Sequence, residues 1–322
     1  MLKRSEWRSR ADAHRCRVRD LLGGMFYDRK VHDRHPIYNF LFNYYRFRPH
    51  RTIERYSAGL DFALESCSSG DDESLYLPSS KYLSVKDGCI EMDPVKSLNE
   101  KSVTRIRNLC TLLEIVQRRP PNFSCFGVHE FAMLHSGARH SFFQKKAGLE
   151  LRMSQREIDD VVERAPIRCT HFDATRHFPD SALRSCRVKT SPALRTKNEQ
   201  AGCIHTNLDL FKFSLRLWPF ASSELVADAL ELAIRARELD MRASPYDLSS
   251  VSDFTELGRD FDLTPVLIET ESGRAEFRDS TMVLYRDSLP IRDRLIKVAS
   301  SVLDCVSSTS TLKSSSSTTI QL

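Results

Sequence analysis

Eleven glycines in 322 residues constrain this chain more than any other feature. Folds that wrap backbone around a phosphate, or set a nucleophile on a sharp turn, need glycine at fixed offsets, because only glycine takes the required backbone angles without a steric cost. The sequence contains no GxGxxG, no GxxxxGK[ST] and no GxSxG. That argues against dinucleotide-binding folds, P-loops and α/β-hydrolase elbows. What the chain offers instead is a series of segments with helical periodicity.

Trp7, Ala11, His14, Val18 and Leu21 recur at alternating steps of four and three, which predicts an amphipathic helix over 7–22 with arginines on its other faces. A second helix is expected from Pro36, at the first helical position, to Pro49, with Phe40, Leu41, Tyr44 and Tyr45 on an aromatic face. Residues 66–98 lack a helical period and read as a surface insertion of loop and short extended pieces. Helix returns at 99–117, where Val103, Ile106, Cys110 and Leu113 align, and again after the capping box Ser154-x-x-Glu157, which introduces Ile158, Val161 and Val162. Ser222 and Ser223 cap a helix over 222–239 whose stripe is Leu225, Ala229, Leu232, Ala236 and Leu239. Pro265–Thr270 with Gly273 reads as a strand and turn, and helix then continues to about Leu303 with Pro290 as kink or restart. Eleven of the thirteen residues 307–319 are Ser or Thr, which predicts disorder. The expected fold is mainly α: one compact helical domain over 1–306 with a minor strand or hairpin element, and a disordered tail over 307–322.

Hydrophobic residues are 41% and charged ones 28%, as in a soluble globular protein. No apolar run approaches the roughly 20 residues of a membrane span, and the N-terminus lacks the apolar core of a signal peptide. Nine cysteines, an odd number with several inside apolar segments, point to reduced thiols in cytoplasm or nucleus and not to secretion. The net charge of +5 is uneven. Residues 1–60 hold 14 Lys/Arg against 6 Asp/Glu, or +8, and the remainder 34 against 37, or −3. Such a basic N-terminal region suits an anionic partner such as DNA, with Arg46 and Arg48 beside Tyr44 and Tyr45 as the best candidates for phosphate contact and base stacking. Phe172 and Lys212 join that candidate set. The alternatives are an ordinary solvated helix face and an aromatic core.

Three short pieces carry the chemistry: Cys125-Phe-Gly-Val-His129-Glu130, Cys169-Thr-His171-Phe172-Asp173 and Cys203-Ile-His205-Thr-Asn-Leu-Asp209. Thiols, imidazoles and carboxylates bind metals and move protons. The absence of any CxxC departs from the usual structural zinc spacing. A catalytic divalent metal, zinc or iron, on His129, His171, His205 and Asp209 fits better. A metal-free site with Asp173 or Glu130 activating water is a further possibility, the cysteines then serving as buried packing. His129 and Glu130 are adjacent and diverge by roughly 100° on a helix, so one of them faces a site more easily than both. His205, Asp209, Lys212 and Arg216 fall on one helical face, opposite Leu208, Phe211 and Leu215. In the simplest alternative, all of these are satisfied polar groups of a core.

Several longer motifs resemble a family known mostly from actinobacteria, whose members are commonly labelled 3-methyladenine DNA glycosylase. They are Trp7–Val18, His35-Pro-x-x-x-Phe-Leu-Phe-x-Tyr-Tyr, Cys125-Phe-Gly-x-His-Glu, Arg168-Cys-x-His-Phe-Asp, Gly202-Cys-x-His-x-x-x-Asp-Leu and Glu238-Leu-Asp-Met-Arg-Ala-Ser-Pro-Tyr-Asp. The resemblance implies excision of an alkylated purine from DNA. Such an enzyme stacks the flipped base on aromatics and activates water with a carboxylate. Asp173 or Glu130 would be the base, Phe172, Phe126, Tyr44 or Tyr45 the platform, and the Arg-rich first 60 residues the phosphate contacts.

Overall fold

The computed structural model of the chain describes residues 1–23, 35–45, 53–66, 76–138, 148–164, 167–249 and 261–315, apart from the side chains of Tyr44 and 309–315. Among the described residues the fold is mainly α, with one small sheet. Its centre is α6 (Ile204–Leu217), packed against α7 (Ser223–Arg242) and α8 (Glu271–Ser315). Around these lie α1 (Arg4–Leu22) against α7, α2 (Glu100–Arg118) against α8, and the shorter α3 (Val128–Ala132), α4 (Gln155–Arg164) and α5 (Phe172–Thr175). Among the described residues no helix is long and apolar enough to cross a membrane.

Where the periodicity is strong, the elements follow it. α1 buries Trp7, Ala11, His14, Val18 and Leu21 as expected. α7 buries its whole predicted stripe and is capped by Ser222, whose Oγ accepts the Leu225 N–H at 3.3 Å. The 154–157 capping box forms reciprocally, at 2.8 Å from Ser154 N to Glu157 Oε2 and 3.4 Å from Glu157 N to Ser154 Oγ.

Four expectations differ from the structure. The 35–49 helix, in its described part, is a turn at Pro36 and Ile37 leading into a π-helix over Phe40–Tyr44, a form that widens the helix and is frequent at functional sites. Arg46, Arg48 and Pro49 lie outside the described residues. The 66–98 segment holds the short extended pieces expected of it, but it is not wholly a surface insertion. β1 (Leu64–Glu65), β2 (Leu83–Lys86) and β3 (Cys89–Met92) form an antiparallel sheet in the order β1-β3-β2, and Leu64, Leu77 and Ile90 close a second apolar cluster over Trp7, Ala11 and Tyr56. The strand expected at 265–270 is irregular backbone. Thr270 instead caps α8, its Oγ1 accepting the Gly273 N–H at 3.0 Å. Gly273 sits so close to the preceding chain that a Cβ there would lie 2.0 Å from the Leu267 carbonyl oxygen, so its role is close approach and not a turn. Finally, α7 runs on to Arg242 and places Asp240 inside the helix, while α8 passes Pro290 and continues to Ser315, through the first part of the Ser/Thr run.

Candidate functional site

α6 is buried over most of its surface, and the first half of its predicted polar face is internal: His205 is 6% exposed and Asp209 1%, while Lys212 is half-buried and Arg216 exposed. Two charged networks, one on each side of His205, satisfy that face.

The first is built by α3 and α7. Phe126 and Gly127 both take positive φ, 50° and 77°, and this tight double turn swings the start of α3 inward. Both His129 and Glu130 are then buried. They join one network because Arg237 spans them. His129 Nε2 lies 2.7 Å from Asp240 Oδ1, Arg237 Nη1 donates to Glu130 Oε1 at 2.9 Å, and the same Nη1 donates to Asp240 Oδ2. The expected divergence of the two neighbours is real, and the guanidinium bridges it. Two carboxylates, one guanidinium and one imidazolium sum to zero charge, which is what a dry interior requires. Phe40 of the π-helix covers the Arg237 guanidinium, 4.7 Å from its ring centre.

On the outer side of His129, Cys125 Sγ lies 3.7 Å from Nδ1. Cys125 is half-buried, unlike Cys169 and Cys203. A hydrogen bond from the neighbouring Cys169 thiol holds the Cys125 thiol well below its usual range, and the charged His129 adds to this against the effect of burial. Burial disfavours the His129 imidazolium, but Asp240 and Cys125 outweigh it and raise the imidazole pKa well above normal. Cys203, by contrast, is pushed up to about 12 by burial. Cys203 is therefore buried packing, Cys169 is buried but supports Cys125, and Cys125 itself is not packing.

The second network surrounds His171, at the entry to the single turn α5. Its Nε2 lies 3.4 Å from Asp209 Oδ2 and 3.7 Å from Glu199 Oε1, and neither ring nitrogen makes a well-formed hydrogen bond. Lys212 Nζ donates to Asp209 at 2.6 Å, Arg195 Nη2 at 3.2 Å and Tyr45 Oη at 3.3 Å. Burial would raise the Asp209 pKa, but Lys212 and His171 hold it far below the usual carboxylate range. Asp173, turned toward Lys212 at 3.4 Å, keeps 21% of its side chain exposed. Phe172 is half-buried beside it.

His205 joins the networks. Its ring meets His129 edge-on at 4.5 Å and stacks on His171 at 5.5 Å. Burial and the adjacent His129 charge keep it neutral, and its Nδ1 has no hydrogen-bond partner among the described residues. The four residues expected to share a metal thus divide. His129 and His205 converge with Asp240, their ligand atoms within 4.8 Å of one another, a group that can hold a metal ion. His171 and Asp209 belong to the Glu199–Arg195–Lys212 network. Asp209 is one turn from His205, as the spacing requires, but three donors already hold it. Of the two candidate bases, Glu130 is buried at 3% exposure and tied to Arg237, so only Asp173 meets solvent.

Asp240 and Arg237 carry the site and are absent from the sequence expectation. A signal does exist: Val226, Leu230, Ala233, Arg237 and Asp240 follow steps of four, three, four and three, so an apolar stripe continues into two charges. Electrostatics also differ from expectation. Much of the α1 charge is internally paired, Arg10 with Glu6, Arg17 with Asp228 and Glu231, and Arg19 with Glu54. Residues 167–198 hold 7 Lys/Arg against 2 Asp/Glu, or +5, equal to the net charge of the whole chain. Among the described residues, Arg168, Arg184, Arg187, Lys189 and Lys197 of this segment are exposed and make no ion pair. Comparison of the chain with protein-family models, with curated proteins and with solved structures finds no match.

Proposed function

We propose that this protein is a thiol-dependent acyl-transfer enzyme, a hydrolase or transferase, with Cys125 as nucleophile, His129 as its acid and base, and Asp240 orienting the imidazole. One observation carries this reading: Cys125 Sγ stands 3.7 Å from Nδ1 of the same ring whose Nε2 lies 2.7 Å from Asp240 Oδ1. Nucleophile, base and orienting carboxylate in series is the arrangement that activates a thiol. The residue exposures support it, since the His129–Asp240 pair is fully buried while Cys125 is half-open. In the proposed reaction the Cys125 thiolate attacks the carbonyl carbon of an ester, thioester or amide. His129 gives its proton to the departing group, leaving a thioester on Cys125. Water then attacks the thioester, its proton passing to His129, and releases the acid and the thiolate. Arg237 and Glu130 hold Asp240 in place throughout. Sub-stoichiometric iodoacetamide followed by peptide mapping tests the assignment. Cys125 is expected to be labelled first among the nine cysteines; preferential labelling of exposed Cys16 or Cys305 instead would argue against an activated thiol.

A metal-dependent hydrolase or oxidoreductase is the second reading, supported by the convergence of His129, His205 and Asp240 and by the unpartnered Nδ1 of neutral His205. The donor set suits zinc or iron, and Cys125 would then be the group that orients His129 from behind. Metal content of the purified protein separates the two readings, because a stoichiometric zinc or iron lost in His205→Ala favours this one.

Excision of an alkylated purine from DNA rests on the family resemblance. Geometry lends it one support, the solvent-facing Asp173 carboxylate beside Lys212. Release of 3-methyladenine from methylated DNA, lost in Asp173→Asn, is the result this proposal needs.

A further inference from the structure

Among the described residues two arginines are buried completely, Arg237 and Arg292. Arg237 is matched by two carboxylates. Arg292, on α8, has none within ion-pair distance among the described residues. Its Nη2 donates to the amide oxygen of Asn207 at 2.9 Å and its Nη1 to Ser288 Oγ at 3.3 Å, while Nε has no partner. A guanidinium removed from water and given only neutral acceptors is a costly arrangement, which a bound anion relieves. Burial lowers the Arg292 pKa to about 10, so the group is still charged at neutral pH.

The position of Arg292 relates it to the candidate site. Asn207 is two residues beyond His205 on α6. Tyr285 lies two turns before Arg292 on the same face of α8, and its ring packs on Phe123, two residues before Cys125, at 5.8 Å. Gly202 holds the same stretch of chain tightly, since a Cβ there would stand 2.7 Å from the Asn122 carbonyl oxygen.

We propose that Arg292, its guanidinium held in place by Asn207 and Ser288, is the receptor for an oxyanion, a carboxylate or a phosphoryl group, carried by the molecule this protein acts on. The binding site stands on these residues alone, and only its role in orienting a substrate beside Cys125 rests on the thiol reading.

Thermal unfolding of the full chain in a chloride background, with added succinate or inorganic phosphate, tests the site. Wild-type protein is expected to show a saturable rise in Tm of about 2–4 °C with one of the two anions. A response to succinate alone identifies a carboxylate, and a response to phosphate alone a phosphoryl group. Arg292→Met is expected to lose the response and, without ligand, to melt no lower than wild type. Asn207→Asp supplies an internal carboxylate to Arg292 and is likewise expected to lose the response, which keeps the test decisive if Arg292→Met fails to fold. A wild type indifferent to both anions, or an unchanged response in Asn207→Asp, overturns the proposal. Iodoacetamide labelling of wild-type Cys125 separates the two claims: a saturable anion response in a protein whose Cys125 is not preferentially labelled upholds the Arg292 site without the thiol reading, and preferential labelling without an anion response overturns the Arg292 site alone.

Discussion

Replacing Asp240 with alanine is expected to destabilise the fold by about 3–5 kcal/mol. The argument is one of charge left behind. Asp240 is 0% exposed and serves two cations at once, His129 through Oδ1 and Arg237 through Oδ2. Without it, Arg237 keeps only Glu130, and the His129 imidazolium loses the partner that opposes its burial. Asp240→Asn retains the shape and one acceptor and should cost less. Both partners also tie stability to pH. The Asp240 pKa is lowered, because His129 and Arg237 outweigh burial, so its contribution is present above the unfolded value of about 3.9 and is lost as pH falls through the lower folded value. The His129 pKa is raised, so its contribution is full below about 6.5 and is lost as pH rises through the higher folded value. Denaturant unfolding of wild type across this range should therefore show a stability maximum that flattens in Asp240→Ala. Equal stability of the variant and wild type at neutral pH would remove the network from the account of the fold.

Replacing Cys125 with alanine is expected to lower kcat for hydrolysis of an activated ester or thioester by about 10³-fold or more while leaving Tm nearly unchanged. The thiol is half-buried and its removal opens little cavity, so the two effects separate cleanly. Cys125→Ser keeps a hydroxyl in place of the thiol and should rescue little, since His129 tuned to hold a thiolate is a weak base toward an alcohol. Cys169→Ala is expected to do less, raising the Cys125 pKa by removing one hydrogen bond while His129 remains. Full activity in Cys125→Ala would move the nucleophile elsewhere and leave the metal reading as the stronger one.

How much of this was legible in the chain depends on what each residue responds to. The apolar faces of α1 and α7 follow from spacing because burial is the only term that decides them. Gly273 misleads: glycine signals a turn by its usual use, whereas here it allows α8 to pass the Leu267 carbonyl. The α6 face misleads differently. The spacing of His205, Asp209 and Lys212 suggests one shared site, yet Arg195 and Tyr45, from outside the helix, hold Asp209 in a network apart from the His129–His205–Asp240 group. The grouping of His129 with Cys125 was visible as a short motif. Its completion by Asp240 depends on α7 packing across α3, a contact between residues 111 apart that no local pattern records.

The most direct test of the central claim is the pH dependence of Cys125 alkylation, followed by mass spectrometry of its peptide. An ordinary thiol, with a pKa near 8.5, loses roughly 10²-fold in rate between pH 8 and pH 6 as its thiolate disappears. A Cys125 held as thiolate by Cys169 and His129 should react at nearly the same rate at both values, with the plateau lost in His129→Gln. A hundredfold fall in the wild type, or a plateau that survives in His129→Gln, would contradict the account.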